Sequence, residues 1–368
     1  MNKILLSGYY GMKNTGDDAL LAVTSWGVKT FLKADKMIAT AAQIPQFAGS
    51  HLIQPAYVEE RRFRGENKLR LYYHALRSQH ILLGGGSVFH SSGQMNEVID
   101  ILRLSGKGPH AALGVSLGPF RDSGAEKTCV SLLKRFAFVG LRDQVSFEIA
   151  QQIAPCVNSE KTFDLAVLLP KSTNYIEDGL KSDGDRRGIG LALCNYERYI
   201  GGDINKEELC KQKVIQALSQ LDPEEAGPIV LIDFNGHPFY GDYELHSEVA
   251  ERLRSRFNVQ HLAYNPNPIA VLRQLAGVRC LVAMRLHAAI FGYIAQTPTI
   301  MLPYHNKCLA WSFEIGMQQE LVLNRDRFEI NDLTARIRDI ISEKLNKPSL
   351  PFNVAENLAM RNWLWANN

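Results

Sequence analysis

Short apolar runs alternate with longer stretches of helical period along nearly the whole chain, and this alternation restricts the fold more than any other feature. "KILLSGYYG" precedes "DDALLAVTSWGVKTFL", "HILLGGGSVF" precedes "NEVIDILRLSG", "HAALGVSLGPF" precedes "AEKTCVSLLKRF", and "FAFVGLRD" precedes "QVSFEIAQQI". Several of the short runs lack the every-other-residue pattern of a half-solvated strand, as expected of strands buried on both faces of a parallel sheet. Such succession builds doubly wound α/β domains. "FDLAVLLP" closes the first series, the polar "KSTNYIEDGLKSDGDRR" follows, and the alternation resumes through "GIGLALCNY", "PIVLIDFNGH", "VQHLAY", "RCLVAMRLH" and "PTIMLPY".

A chain of 368 residues exceeds the size at which a single core keeps growing. The pattern therefore predicts two Rossmann-like domains facing a cleft: 1–170, a linker at 171–187, a second domain at 188–348 and a C-terminal helix at 349–368 that packs its tryptophans on one of them. The net charge of +3, from 41 basic and 38 acidic residues, is too small for a general polyanion binder, so no nucleic acid is expected and any attraction for anions must be local. No apolar run is long enough to span a bilayer, and "MNKILLSGYYG" reads as a first strand, not a signal peptide. The six cysteines stand singly, without metal or redox spacing, and read as reduced thiols of a cytoplasmic protein; no metal is expected.

Four strand-to-helix junctions stand out, because ligands of open α/β sheets bind beyond the carboxyl ends of strands, where helix N-termini attract anions. In "SGYYGMKNTGDDAL" the glycine spacing fits neither the dinucleotide fingerprint nor a phosphate loop. The segment is either a capped turn or a site where Asn14 and Asp17 bind or deprotonate a hydroxyl. "LLGGGSVFHSS" and "LGVSLGPF" follow; Gly84, Gly85 and Gly86 are either a structural turn or a place where backbone approaches a ligand. In "AMRLHAAIFGYIAQTP", Arg285 and His287 stand at a helix start, where a guanidinium fork matches carboxylate or phosphate and an imidazole can also deliver a proton. A salt bridge for Arg285 and a hydrogen-bonded His287 are the structural alternatives. Arg142 and Lys307 follow other strand ends; an Arg142–Asp143 surface pair and a solvated lysine are the plain readings of these two.

In order, "SGYYGMKNTGDDAL", "LLGGGSVF", "GVSLGP", "GLRDQVS", "FDLA" and "MRLHAAIFGYIAQTP" resemble the signature of the polysaccharide pyruvyl transferase family, its bacterial cell-wall-polymer branch especially. The resemblance implies a fold similar to GT-B glycosyltransferases, with the acceptor sugar on the N-terminal domain and phosphoenolpyruvate on the C-terminal one. It implies transfer of the pyruvyl group to two hydroxyls of one sugar as a cyclic ketal, with release of phosphate and no cofactor beyond this donor. Carried over by motif, Arg285 and His287, with Arg142 and Lys307, would hold phosphoenolpyruvate. His287 would be the general acid and Asp17 the base; Asn14, Asp17 and Gly84–Gly86 would face the acceptor. Departures lie mostly on the acceptor side: Asp18 stands where the family often has glutamate, His90 and Ser91 where it often has Gln-Asp, and "YHNK" where it often has Tyr-Asp-Pro-Lys.

The rival reading is a GT-B-type glycosyltransferase using a nucleotide sugar, although "IAQTPTIMLPY" lacks the ribose-binding acid it would want. A lipid-linked acceptor would be met at the inner face of the cell membrane. Peripheral docking would then fall to exposed basic and aromatic residues such as those of "YVEERRFRGENKLRLYYHALR", which reads equally as a helix with a solvated face.

Overall fold

The computed structural model describes residues 2–105, 108–173, 186–344 and 347–367. Its strands are β1 (Lys3–Ser7), β2 (Lys36–Ala39), β3 (Ile53–Pro55), β4 (His80–Phe89), β5 (Ala111–Leu117), β6 (Phe138–Leu141), β7 (Ser159–Lys161), β8 (Ile189–Ala192), β9 (Ile229–Ile232), β10 (Val259–Leu262), β11 (Cys280–Ala283) and β12 (Thr299–Met301). Its helices are α1 (Thr15–Phe31), α2 (Glu66–Leu76), α3 (Ser92–Ser105), α4 (Ala125–Leu133), α5 (Gln144–Ile153), α6 (Leu169–Ser172), α7 (Tyr196–Ile200), α8 (Ile204–Ser219), α9 (Pro223–Ala226), α10 (Tyr243–Leu253), α11 (Pro268–Leu275), α12 (Leu286–Ile294), α13 (Asn306–Glu314), α14 (Ile330–Ile341) and α15 (Phe352–Met360).

The chain forms two compact units: Met1–Met12, Asp17–Asn174 and Asn353–Asn368 make the first, and Lys13–Gly16 with Tyr175–Phe352 the second. Lys13–Gly16 group with the second unit instead of the first expected domain, and the C-terminal segment packs on the first. The expected linker lies mainly outside the described residues, at 174–185. The first unit holds a parallel sheet of order β3-β2-β1-β4-β5-β6-β7 and the second one of order β10-β9-β8-β11-β12. Every residue of β5, β8, β9 and β11 is buried, which is why these runs carry no alternation. In each sheet the strand order reverses once, between β1 and β4 and between β8 and β11, the switch points where such folds bind ligands.

The C-terminal segment completes the first core. Trp363 is 1% exposed and stacks on Phe31 at 5.5 Å. Asn362 accepts hydrogen bonds from the Gly114 amide (2.7 Å) and Thr162 Oγ1 (3.0 Å) and donates to the Phe163 carbonyl (3.2 Å). Among the described residues no helix is long and apolar enough to cross a membrane.

Candidate functional site

The second unit gathers the conspicuous residues of two distant motifs at the carboxyl ends of β8, β9, β11 and β12. β11 is followed by Arg285, the N-cap of α12, and His287 sits in the first turn of that helix, whose remaining residues are buried. Arg285 does not stand alone. Its Nε donates to both carboxylate oxygens of Asp242 at 3.0 Å, and its Nη2 donates to Asp242 Oδ1. Asp242 is fully buried, and its Oδ2 also accepts from the amides of Phe234 and Asn235, each at 2.9 Å. Burial works against the charge on Arg285, but Asp242 outweighs it and holds the guanidinium above its ordinary range. The pair thus fixes one edge of the fork in a single geometry, with Nη1 outside it.

The N-terminal motif comes to the same place by backbone pairing. The Thr15 amide donates to the Phe234 carbonyl (2.9 Å), the Gly236 amide to the Lys13 carbonyl (2.8 Å), and Asn14 and Asn235 form an antiparallel bridge. Asn14 Oδ1 accepts from the Gly16 amide at 3.0 Å, so its carbonyl oxygen opens α1, leaving the amide nitrogen for other work. Gly16 is dictated by His287: a Cβ there would lie 2.0 Å from Nδ1 of that ring. The imidazole therefore rests on the bare Cα of Gly16, a contact no other residue permits. Asp17, the next residue, is half-buried in the first turn of α1 and belongs to the first unit.

Lys307 lies in the first turn of α13, its amide donating to His305 Nδ1 at 3.2 Å and its ammonium 5.5 Å from the centre of the Tyr304 ring. Burial pushes the Cys194 thiol up to about 12, against the opposing influence of Arg285 and Lys307, so between these two cations it is a neutral, inert group. Aromatic rings lead outward from here. Tyr304 packs on Tyr196 of α7 at 4.5 Å, and Tyr199 of the same helix meets Tyr240 at 5.8 Å. Phe239, 79% exposed, and Tyr240 sit on a turn held by His237 Nδ1, which accepts from both of their amides at 3.1 Å.

Beneath these residues, Asp233 Oδ1 accepts from His246 Nδ1 (2.5 Å) and His261 Nε2 (2.9 Å). Burial pushes the Asp233 carboxyl up, but the two imidazoles outweigh it and hold it below the usual range. These three groups lie close enough to hold a metal ion. The Leu193 amide, however, donates to His246 Nε2 at 3.1 Å, so Nδ1 carries the ring proton and has no lone pair to give a metal.

Two of the sequence expectations are corrected in the first unit. Arg142 is neither a ligand-facing cation nor half of a surface pair. It is 7% exposed, with Nε on Ser116 Oγ (2.5 Å), Nη1 on Asp164 (2.9 Å) and Nη2 on Ser87 Oγ (3.0 Å). The guanidinium thus ties together the "GGGSVF", "GVSLGP" and "FDLA" motifs, while Asp143 caps α5 by accepting from the Ser146 amide at 2.8 Å. Gly84, Gly85 and Gly86 lie buried inside β4, not at an open strand end. A Cβ on Gly84 would meet Thr24 Oγ1 and the Tyr10 hydroxyl at 2.3 Å, and one on Gly85 would meet Leu20 at 2.7 Å. Close packing of α1 and Tyr10 on β4 requires these two residues to be glycine. Asp242, Asn235, Tyr304 and the Asp233 cluster were not anticipated; the one available signal for Asp242 was an acid before a helical pattern, which reads first as a cap.

Fold and site define a two-unit α/β protein of the GT-B-like class. A putative UDP-N-acetylglucosamine 2-epimerase from Listeria monocytogenes is similar over 97% of this chain and 90% of its own, with 12% identity and a TM-score of 0.64. The UDP-GlcNAc 2-epimerase of Methanocaldococcus jannaschii, in complex with UDP-GlcNAc and UDP, is similar over 98% and 99%, at 12% identity and a TM-score of 0.64. The lipopolysaccharide outer core galactosyltransferase WaaB matches over 100% and 99%, at 10% identity and a TM-score of 0.51. No curated protein sequence matches significantly. The family model for polysaccharide pyruvyl transferases matches residues 14–306, and the chain belongs to that family. It is accordingly a transferase of polysaccharide biosynthesis with a saccharide acceptor.

Proposed function

We propose that the protein transfers the pyruvyl group of phosphoenolpyruvate to two hydroxyls of one sugar in a bacterial polysaccharide or its lipid-linked precursor, forming a ketal and releasing phosphate. The observation that carries this reading is the meeting of Arg285, held by Asp242, with His287, seated on Gly16, at the switch point of the second sheet. Arg285 Nη1, the Lys307 ammonium and the positive dipole ends of α12 and α13 supply an anion site for a donor carrying carboxylate and phosphate. Because Asp242 already offsets one positive charge, the helix ends carry more of the work than a count of cations suggests.

His287 protonates C3 of the donor as the first sugar hydroxyl adds to C2, and Asp17 takes that hydroxyl's proton. The second hydroxyl then attacks C2, the bond from C2 to the phosphate oxygen breaks, and the second hydroxyl proton leaves with phosphate or solvent. Asn14 helps hold the sugar, and the exposed faces of Tyr199, Phe239 and Tyr240 offer it amphipathic stacking surfaces. Arg142 is assigned to holding the first unit's loops and not to the donor.

The test is incubation with phosphoenolpyruvate or with a UDP-sugar, each with a panel of saccharides. Acceptor-dependent release of inorganic phosphate is expected; release of uridine diphosphate without phosphate would make the protein a nucleotide-sugar glycosyltransferase.

A further inference from the structure

Helix α2 is apolar on both faces. Leu71 and Ala75 are buried, whereas Leu69, Tyr73 and Leu76 are 59%, 50% and 52% exposed. Their spacing of four and three residues places the exposed set in one stripe on the solvent side. Phe63, 52% exposed, extends it into the turn before the helix. A helix that only covered a core would carry polar residues there.

Charge is concentrated on the same segment. Residues 61–77 contain five arginines and one lysine against Glu66, a net of +5 in a chain whose total is +3. Glu59 and Glu60, just before, bring the stretch to +3, still as much as the whole chain. Glu66 is buried and engages Arg70 (Nε to Oε1 2.9 Å) and the Arg62 amide (2.7 Å to Oε2), so one carboxylate faces the exposed Arg61, Arg62, Arg64 and Arg77 as well as Arg70. Arg77 lies over the exposed Tyr73 ring at 4.7 Å, which places cation and apolar surface side by side. Lys68 leans instead toward Tyr72 at 5.5 Å, with Glu97 and Asp100 of α3 close by.

We propose that this face docks the protein on an anionic phospholipid surface, with Phe63, Leu69, Tyr73 and Leu76 entering the headgroup boundary and the guanidiniums engaging phosphates. Interfacial helices combine these two signals, apolar area and basic charge, because neither suffices alone. Charge excludes a second copy as the occupant, since two such segments would repel. Leucine side chains have no stacking face for bases, which argues against nucleic acid. The proposal does not depend on the donor chemistry.

The test is co-sedimentation of the full chain with phosphatidylglycerol vesicles and with phosphatidylcholine vesicles. Wild type is expected to sediment with the first, less with the second, and progressively less as salt rises. Leu69→Gln/Leu76→Gln should weaken partition about tenfold or more, and Arg61→Gln/Arg62→Gln/Arg64→Gln should abolish the preference for phosphatidylglycerol, with unfolding midpoints unchanged because all five positions are exposed. Absence of wild-type binding to phosphatidylglycerol would overturn the proposal, as would unaltered binding by both variants. So would conversion of a wild-type dimer to monomer by the leucine substitutions, which would assign the stripe to a second copy.

Discussion

Arg285 has a structural partner in Asp242 as well as a proposed one in the donor, and substitutions that ignore either mislead. Removing the guanidinium leaves Asp242 fully buried without its counter-ion. Breaking a buried pair in this way costs about 3–5 kcal/mol, whereas replacing both partners with groups of similar volume is often nearly neutral. Arg285→Ala should therefore lower the unfolding free energy by about 3 kcal/mol or more, and Arg285→Met/Asp242→Asn should recover most of that loss while still failing to bind phosphoenolpyruvate. Chemical denaturation with calorimetry of donor binding separates the two effects; donor affinity in the double variant would make Arg285 purely structural. His287 behaves differently, because its ring packs against the bare Cα of Gly16. His287→Gln retains a hydrogen-bonding side chain but cannot deliver a proton at neutral pH, so turnover should fall about 10²- to 10⁴-fold with donor affinity largely kept. Single-turnover phosphate release and calorimetry on one preparation measure both. The residue types of this site were legible from the arginine and histidine at a helix start. Asp242 was not, since nothing local distinguishes an acid that caps its own helix from one that reaches a residue 43 positions away.

At the level of elements, the Lys13–Gly16 part of the first motif packs against a histidine of its own unit. The same stretch pairs with the chain after β9, and the missing side chain at Gly16 admits the His287 ring. Gly16→Ala should displace that imidazole, at a cost of about 1–3 kcal/mol for overpacking and a loss of turnover larger than the loss of stability would explain. Comparison of phosphate release with unfolding midpoint for Gly16→Ala and Gly84→Ala makes the distinction. The second crowds Thr24 and Tyr10 in the first unit, and should destabilise without lowering turnover per folded molecule. The same contrast shows why the sequence was only half readable here. A glycine selected by a ring from a distant helix, one selected by packing within its own unit, and one selected by a ligand look identical in the chain. Apolar runs such as β4, β5, β8 and β11 were legible because burial on both faces leaves a continuous signal. β2, β3 and β7, with three or four residues each and polar or partly exposed positions, leave almost none.

For the whole molecule, the order of the chain and the composition of its units do not coincide. Asn353–Asn368 complete the first unit after the chain has built the second, so a fragment ending near residue 173 lacks part of its own core. The missing part is specific: Trp363 fills the space above Gly27, where a Cβ would come within 2.0 Å of its ring, and Asn362 satisfies the Gly114 amide, Thr162 and the Phe163 carbonyl. Losing a buried tryptophan costs about 3–5 kcal/mol, and a buried amide left unpaired about 1–3 kcal/mol more, together a large share of an ordinary domain's stability. The fragment 1–173 should consequently be loosely folded alone, and a synthetic peptide of residues 353–368 added in trans should raise its unfolding midpoint in a concentration-dependent way. A peptide in which Trp363 and Asn362 are both alanine should not. Thermal unfolding of the fragment with either peptide decides the matter: equal midpoints with and without the natural peptide would mean that the first unit is complete without its C-terminal segment, and that Trp363 is buried there without contributing to its stability.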